Sequence, residues 1–172
     1  MSTHPRRRTA RGYTLVEVVT VVMLIGVMAA LVVPMMRQTP HSALSGAAAI
    51  LAADLDAARI DSIAQADDPR VVVFDTAAES YYVAASSDTA VPLTSAADRQ
   101  AWRVTFGQGV ARELGDVGIR AVSLGGDAEL GFTAFGSLDQ TADAEIILEA
   151  GSLTVSITLD AATGEVTVGQ IN

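Results

Sequence analysis

The chain has 172 residues, enough for one modest domain with an appendage and too few for two globular domains. Its formal net charge of −9 is unevenly divided: Arg6, Arg7, Arg8 and Arg11 crowd the first dozen residues, and the remainder carries 20 acids against seven arginines, a net of −13. An acidic body of this kind argues against nucleic-acid binding, which depends on cationic side chains at phosphates; the absence of cysteine excludes disulfides and thiolate metal sites, and leaves both a cytoplasmic and an exported body open.

From Val18 to Val33 the sequence reads VVTVVMLIGVMAALVV. Extended to Met36, with Glu17 at its edge, the stretch is about the ~20 residues that a helix needs to cross a bilayer. A buried core helix in so small a chain would show a polar face at 3.6-residue spacing, and this segment is apolar all round. A secretory signal also begins with basic residues and an apolar run, but it ends in a small-residue cleavage site; here the run ends in Val33-Pro34-Met35-Met36-Arg37.

Immediately before the run stands Arg11-Gly12-Tyr13-Thr14-Leu15-Val16-Glu17. This stretch resembles the N-terminus of type IV pilins and type II secretion pseudopilins: a glycine, an aromatic residue (usually Phe, here Tyr13), Thr, Leu, an aliphatic residue and Glu. The resemblance implies a leader, residues 1–12, removed by a prepilin peptidase after Gly12, with Tyr13 as an N-methylated new terminus. Arg6, Arg7, Arg8 and Arg11 would hold the leader in the cytoplasm, as positive-inside bias requires of short flanks. The body then lies across the inner membrane, on the periplasmic side. Glu17, an acid costly to place in lipid, would pair with the Tyr13 amine of the same or a neighbouring subunit and set the register of a helix bundle. The implied partners are prepilin peptidase, other pilin or pseudopilin subunits, the secretion assembly platform with its ATPase, and the membrane before assembly.

The resemblance further implies an α+β, pilin-like fold, with a long N-terminal helix packed on an antiparallel sheet head. Residues 13–36 would form the hydrophobic helix, 37–68 its amphipathic continuation and 69–172 the head. Pro34 removes a helical hydrogen bond and should kink the helix or open its ladder. Thr39 could cap a restarted helix with Pro40 in its first turn. Farther on, Leu44, Ala48, Leu51, Leu55 and Ala58 share one side, an apolar stripe suited to a sheet that leaves Asp54, Asp61 and Gln65 outside. Asp67-Asp68-Pro69 ends that helix.

From Arg70 the period becomes two. Val71–Phe74 and Tyr81–Ala84 read as a hairpin around Asp75–Ser80; residues 85–100 read as a polar surface loop, and Trp102–Phe106 as a strand. The last third suggests strands at Ile119–Leu124, Leu130–Phe135, Glu145–Leu148, Leu153–Leu159 and Glu165–Val168, in one antiparallel sheet or two small ones. Gly125-Gly126-Asp127 is expected to make a hairpin turn. Phe132-Thr133-Ala134-Phe135-Gly136-Ser137 and Ala161-Ala162-Thr163-Gly164-Glu165-Val166 are similar to the C-terminal region of GspH-type (FimT-like) minor pseudopilins.

Little in the chain suggests catalysis. Its two histidines are His4 in the leader and His41 beside Pro40, no cofactor motif is present, and carboxylate pairs such as Asp139 with Asp143, or Asp127 with Glu129, lack EF-hand spacing for calcium. The expectation is a non-enzymatic, metal-free and cofactor-free structural subunit of a type II secretion pseudopilus. The alternatives are a minor type IV pilin or competence pseudopilin, and, from another class, a single-span membrane protein whose β-domain binds a partner.

Overall fold

The computed structural model describes residues 13–35, 39–95, 99–126 and 128–172, with residues 29–35 and Val110 described by backbone alone. It is α+β, with two helices and antiparallel sheets, and divides into two compact units, residues 1–37 and 38–172.

Within the first unit, helix α1 spans Leu15–Met35. Its start is set by Thr14, whose hydroxyl accepts from the Glu17 N–H at 3.2 Å and whose carbonyl accepts from Val18 at 3.2 Å; this is an N-cap that satisfies an otherwise orphaned donor. Thr20 turns its hydroxyl back onto the Val16 carbonyl at 2.8 Å, so the one hydroxyl in the apolar run is satisfied within the helix. Pro34 falls in the last turn, one residue before the helix ends; lacking an N–H, it cannot donate to the carbonyl four residues back.

The second unit begins with helix α2, Pro40–Ala64. Thr39 caps it, accepting from the Ser42 N–H at 3.3 Å, and Pro40 occupies the first turn, where its lack of an N–H costs nothing. A single long N-terminal helix is not a feature of the described chain: α1 and α2 are separate elements on either side of residues 36–38. The expected stripe of α2 is buried in full, with Leu44, Leu51, Leu55 and Ala58 wholly enclosed.

Among the described residues nine strands follow: β1 Arg70–Asp75, β2 Ser80–Ala85, β3 Asp88–Pro92, β4 Arg103–Thr105, β5 Gly118–Ser123, β6 Glu129–Gly131, β7 Ala144–Ala150, β8 Leu153–Leu159 and β9 Val166–Val168. A 3-10 helix, Gly109–Leu114, stands between β4 and β5. One sheet places β3, β2, β1 and β6 side by side, with β4 also on β2; the other runs β5, β7, β8, β9. The β1–β2 hairpin pairs Val72 with Val83 and Phe74 with Tyr81. Along β8, Val155, Ile157 and Leu159 point into the core while Ser156 and Thr158 alternate outward, as a half-buried strand requires. Helix α2 packs against β1, β7, β8 and β9, so both sheets close over one helix. The core cluster runs from Ala43 to Leu159 and lies wholly within the second unit.

Three expectations are corrected. Residues 85–100 hold a strand: β3 pairs with β2 at Ala84 and Ala85, while β4 takes the same edge at Ser80–Tyr82. The strand expected over Leu130–Phe135 stops at Gly131, because Thr133–Ser137 closes into a turn. Gly125-Gly126 joins β5 to β6, which belong to different sheets, so it is a crossover and not a hairpin turn; Gly125 (φ 82°) and Gly126 (φ 133°) supply a bend that L-residues rarely adopt.

Candidate functional site

Of the residues singled out at the N-terminus, Gly12, Arg6, Arg7, Arg8 and Arg11 lie outside the described residues. Tyr13 is 81 % exposed, and Glu17 is also exposed, in the first turn of α1. Tyr13, Glu17, Val18, Val21 and Val22 line a shallow groove of about 300 Å³. The Glu17 carboxylate has no hydrogen bond or ion pair among the described residues. An acid there sits at the positive end of the helix dipole, where it stabilises the helix by about 0.3–1 kcal/mol.

Thr14 is the residue that sequence reasoning missed. Thr14-Leu15-Val16-Glu17 has the Thr-x-x-Glu spacing of a capping box, which was available as a signal, and the structure realises its hydroxyl half. The run beyond Glu17 is apolar on every side, with Val18, Val21, Met23 and Met28 all half-exposed or more. With side chains described only to residue 28 of α1, no helix among the described residues is long and apolar enough to cross a membrane.

The head carries a second constellation. Asp54, expected to face water, accepts from the Tyr81 hydroxyl at 2.6 Å and from the Trp102 indole at 3.1 Å. Tyr81 is fully enclosed, between Phe74 and Phe106 at ring separations of 5.9 and 6.1 Å. Burial, then the Asp54 charge, hold its hydroxyl pKa well above the usual value near 10. A cavity of about 570 Å³ lies alongside, lined by Ile50, Asp54, Trp102, Val104 and Thr105. Both Asp54 oxygens are occupied by neutral donors, an arrangement that fastens α2 to β2 through Tyr81 and to Trp102, the residue before β4. Asp61 is likewise engaged, pairing with buried Arg70 at 2.6 Å, and of the three residues expected outside only Gln65 stays exposed, bonded to Asp61 at 3.2 Å.

Two carboxylates are tuned by turns. Asp68 accepts from the Ser87 N–H and from the Ser87 and Ser86 hydroxyls, and these bonds, the Ser87 N–H first, lower its pKa. Asp160 accepts from Thr163 N–H and hydroxyl and from Ala162 N–H, with the same effect, led by the Thr163 N–H. Asp143, considered for calcium, instead accepts from the Ala161 N–H at 2.8 Å. Among the described residues no group of three or more His, Asp or Glu side chains could hold a metal ion. His41 is exposed in the first turn of α2. Compared with family models, curated proteins and solved structures, the chain matches none.

Proposed function

We propose that the chain is a prepilin-like structural subunit, a GspH-like minor pseudopilin of a type II secretion system, cleaved after Gly12, methylated at Tyr13 and assembled through its N-terminal helix. The observation that carries the reading is the start of α1: a helix capped by Thr14, two residues past Gly12, whose lone acid, Glu17, has no partner among the described residues. Everything from Val18 to Val33 is uncharged, so the apolar faces of this helix contribute stability only where something apolar covers them. In the proposed cycle lipid covers it first, while the leader arginines stay in the cytoplasm; neighbouring helices cover it afterwards. The compact head, folded on its own core, then faces outward. No step requires catalysis by this chain.

In that bundle the cleaved Tyr13 amine supplies the charge that Glu17 lacks. Breaking one side of a buried pair costs roughly 3–5 kcal/mol, mostly because the other charge is stranded. Glu17→Ala is therefore expected to leave cleavage and head folding intact while removing the subunit from sheared or sedimented polymer. Polymer incorporation of Glu17→Ala at the wild-type level would sink the pairing.

A further inference from the structure

Strand β4 pairs with β2 alone, so its other side is open. Val104 stands opposite Tyr81, and the flanking bonds, from the Val83 N–H to the Trp102 carbonyl and from the Phe106 N–H to the Glu79 carbonyl, both at 3.0 Å, fix which way each peptide group points. Trp102, Val104 and Phe106 turn their backbone toward β2, and Arg103 and Thr105 turn theirs outward. Two of the four outward groups are satisfied locally: the Arg103 N–H donates to the Ala101 carbonyl at 2.7 Å, and the Thr105 carbonyl accepts from the Gln108 N–H at 3.1 Å. The Arg103 carbonyl and the Thr105 N–H have no partner among the described residues. They are the two groups that an added strand takes up opposite Val104, whichever way it runs.

A residue placed opposite Val104 sends its side chain to the face that Val104 uses. Val104 is buried in one core cluster with Tyr81, and it lines the cavity of about 570 Å³ together with Asp54, Trp102 and Thr105, a volume in the range of ligand pockets. That cavity holds a carboxylate without a cation. Each Asp54 oxygen accepts one neutral donor, from Tyr81 and from Trp102, which leaves acceptor capacity on both; the ion pairs among the described residues, Arg70 with Asp61 and Arg120 with Glu149, do not involve it. Arg103 does not supply the charge, since its guanidinium lies 4.5 Å from the Tyr82 ring centroid, on the face opposite Tyr81. A carboxylate with acceptor capacity beside an indole suits a guanidinium, which is planar, forks onto carboxylates and stacks on aromatic rings. The charge of the head acts in the same direction: residues 38–172 hold 19 acids against six arginines, a field that draws a basic segment.

We propose that the open edge of β4 and the cavity beside Asp54 and Trp102 together receive an extended basic segment of a partner protein. Its backbone pairs with the Arg103 carbonyl and the Thr105 N–H, and an arginine opposite Val104 reaches the Asp54 carboxylate. The contact needs no cleavage after Gly12, so it stands or falls apart from the filament reading.

Trp102 is the chain's one tryptophan, and its emission reports on the cavity directly. The full chain in neutral maltoside micelles is titrated with the blocked peptide Thr-Val-Thr-Arg-Thr-Val-Thr. The expected result is a saturable shift of the Trp102 emission, weakened about tenfold or more when citrulline, the neutral isostere, replaces the arginine. N-methylation of the arginine removes the donor that a parallel strand offers to the Arg103 carbonyl, and N-methylation of the next residue removes that of an antiparallel one; one of the two should weaken binding by a similar factor. Asp54→Asn should bring the arginine peptide down to the citrulline level with the circular dichroism unchanged. If that variant does not fold, the citrulline and N-methylated peptides on the native chain decide alone. Equal binding of the arginine and citrulline peptides, or native affinity in a folded Asp54→Asn chain, would overturn Asp54 as the receptor of the charge. Parent-level binding of both N-methylated peptides, or equally tight binding of N-acetylarginine amide, would overturn the strand contact. No shift with the arginine peptide would overturn the whole assignment.

Discussion

Tyr81 is wholly enclosed, and its hydroxyl reaches a carboxylate oxygen of Asp54 at 2.6 Å. Replacing Asp54 by Ala strands that hydroxyl and the Trp102 indole together, and a buried donor left without its acceptor costs about 1–3 kcal/mol. Urea unfolding of Asp54→Ala should show a loss in that range, with the slope unchanged. The pH dependence has a definite sign at each end. The raised Tyr81 pKa favours the folded state fully below pH ~10 and less as pH climbs toward the folded value. The lowered pKa values of Asp68 and Asp160 contribute stability that is complete above pH ~4 and is lost as pH falls from there through their lowered folded values. Asp68→Ala should therefore flatten the fall in urea midpoint between about pH 5 and pH 2, read by circular dichroism; an unchanged acid limb would contradict the role given to the Ser86-Ser87 turn.

At the scale of elements, the turn from β8 to β9 and the Thr133–Ser137 turn meet at Gly164. Its φ of 65° suits glycine, and a Cβ there would run into the Gly136 carbonyl and against Arg59. Gly164→Ala should cost more than ~1 kcal/mol and broaden the backbone signals of both turns in NMR; a neutral substitution would mean the turns are not locked together. The buried face of α2 and the β1–β2 hairpin were legible because hydrophobic period alone decides them: Leu44, Leu51 and Leu55 recur at helical spacing, and Val72 and Phe74 face Val83 and Tyr81 across one register. Strand β3 was not, since Asp88–Pro92 is polar and proline-ended, the composition of an edge strand that buries little. Asp54 and Asp61 were misread for a related reason: the period says which way a side chain leaves the helix, and their partners come from Tyr81, Trp102 and Arg70, distant in sequence.

At the scale of the whole molecule, the chain joins two units of opposite character. The first has an uncharged helix with one acid at its start; the second is a strongly acidic head with its own core. The proposed processing motif rests on residue types in a fixed order, Gly12 through Glu17, and the Thr14 cap on a Thr-x-x-Glu spacing that the same order carries, whereas the braced turn under Phe135 required backbone geometry. The proposed subunit depends on one covalent event, because only cleavage creates the Tyr13 amine that Glu17 needs. The intact mass of the protein extracted from membranes decides it. The expected mass is that of a chain that starts at Tyr13 and carries one added methyl group, with Gly12→Val retaining the leader; a full-length chain from Met1, unmethylated and recovered as a water-soluble monomer, would refute the cleavage.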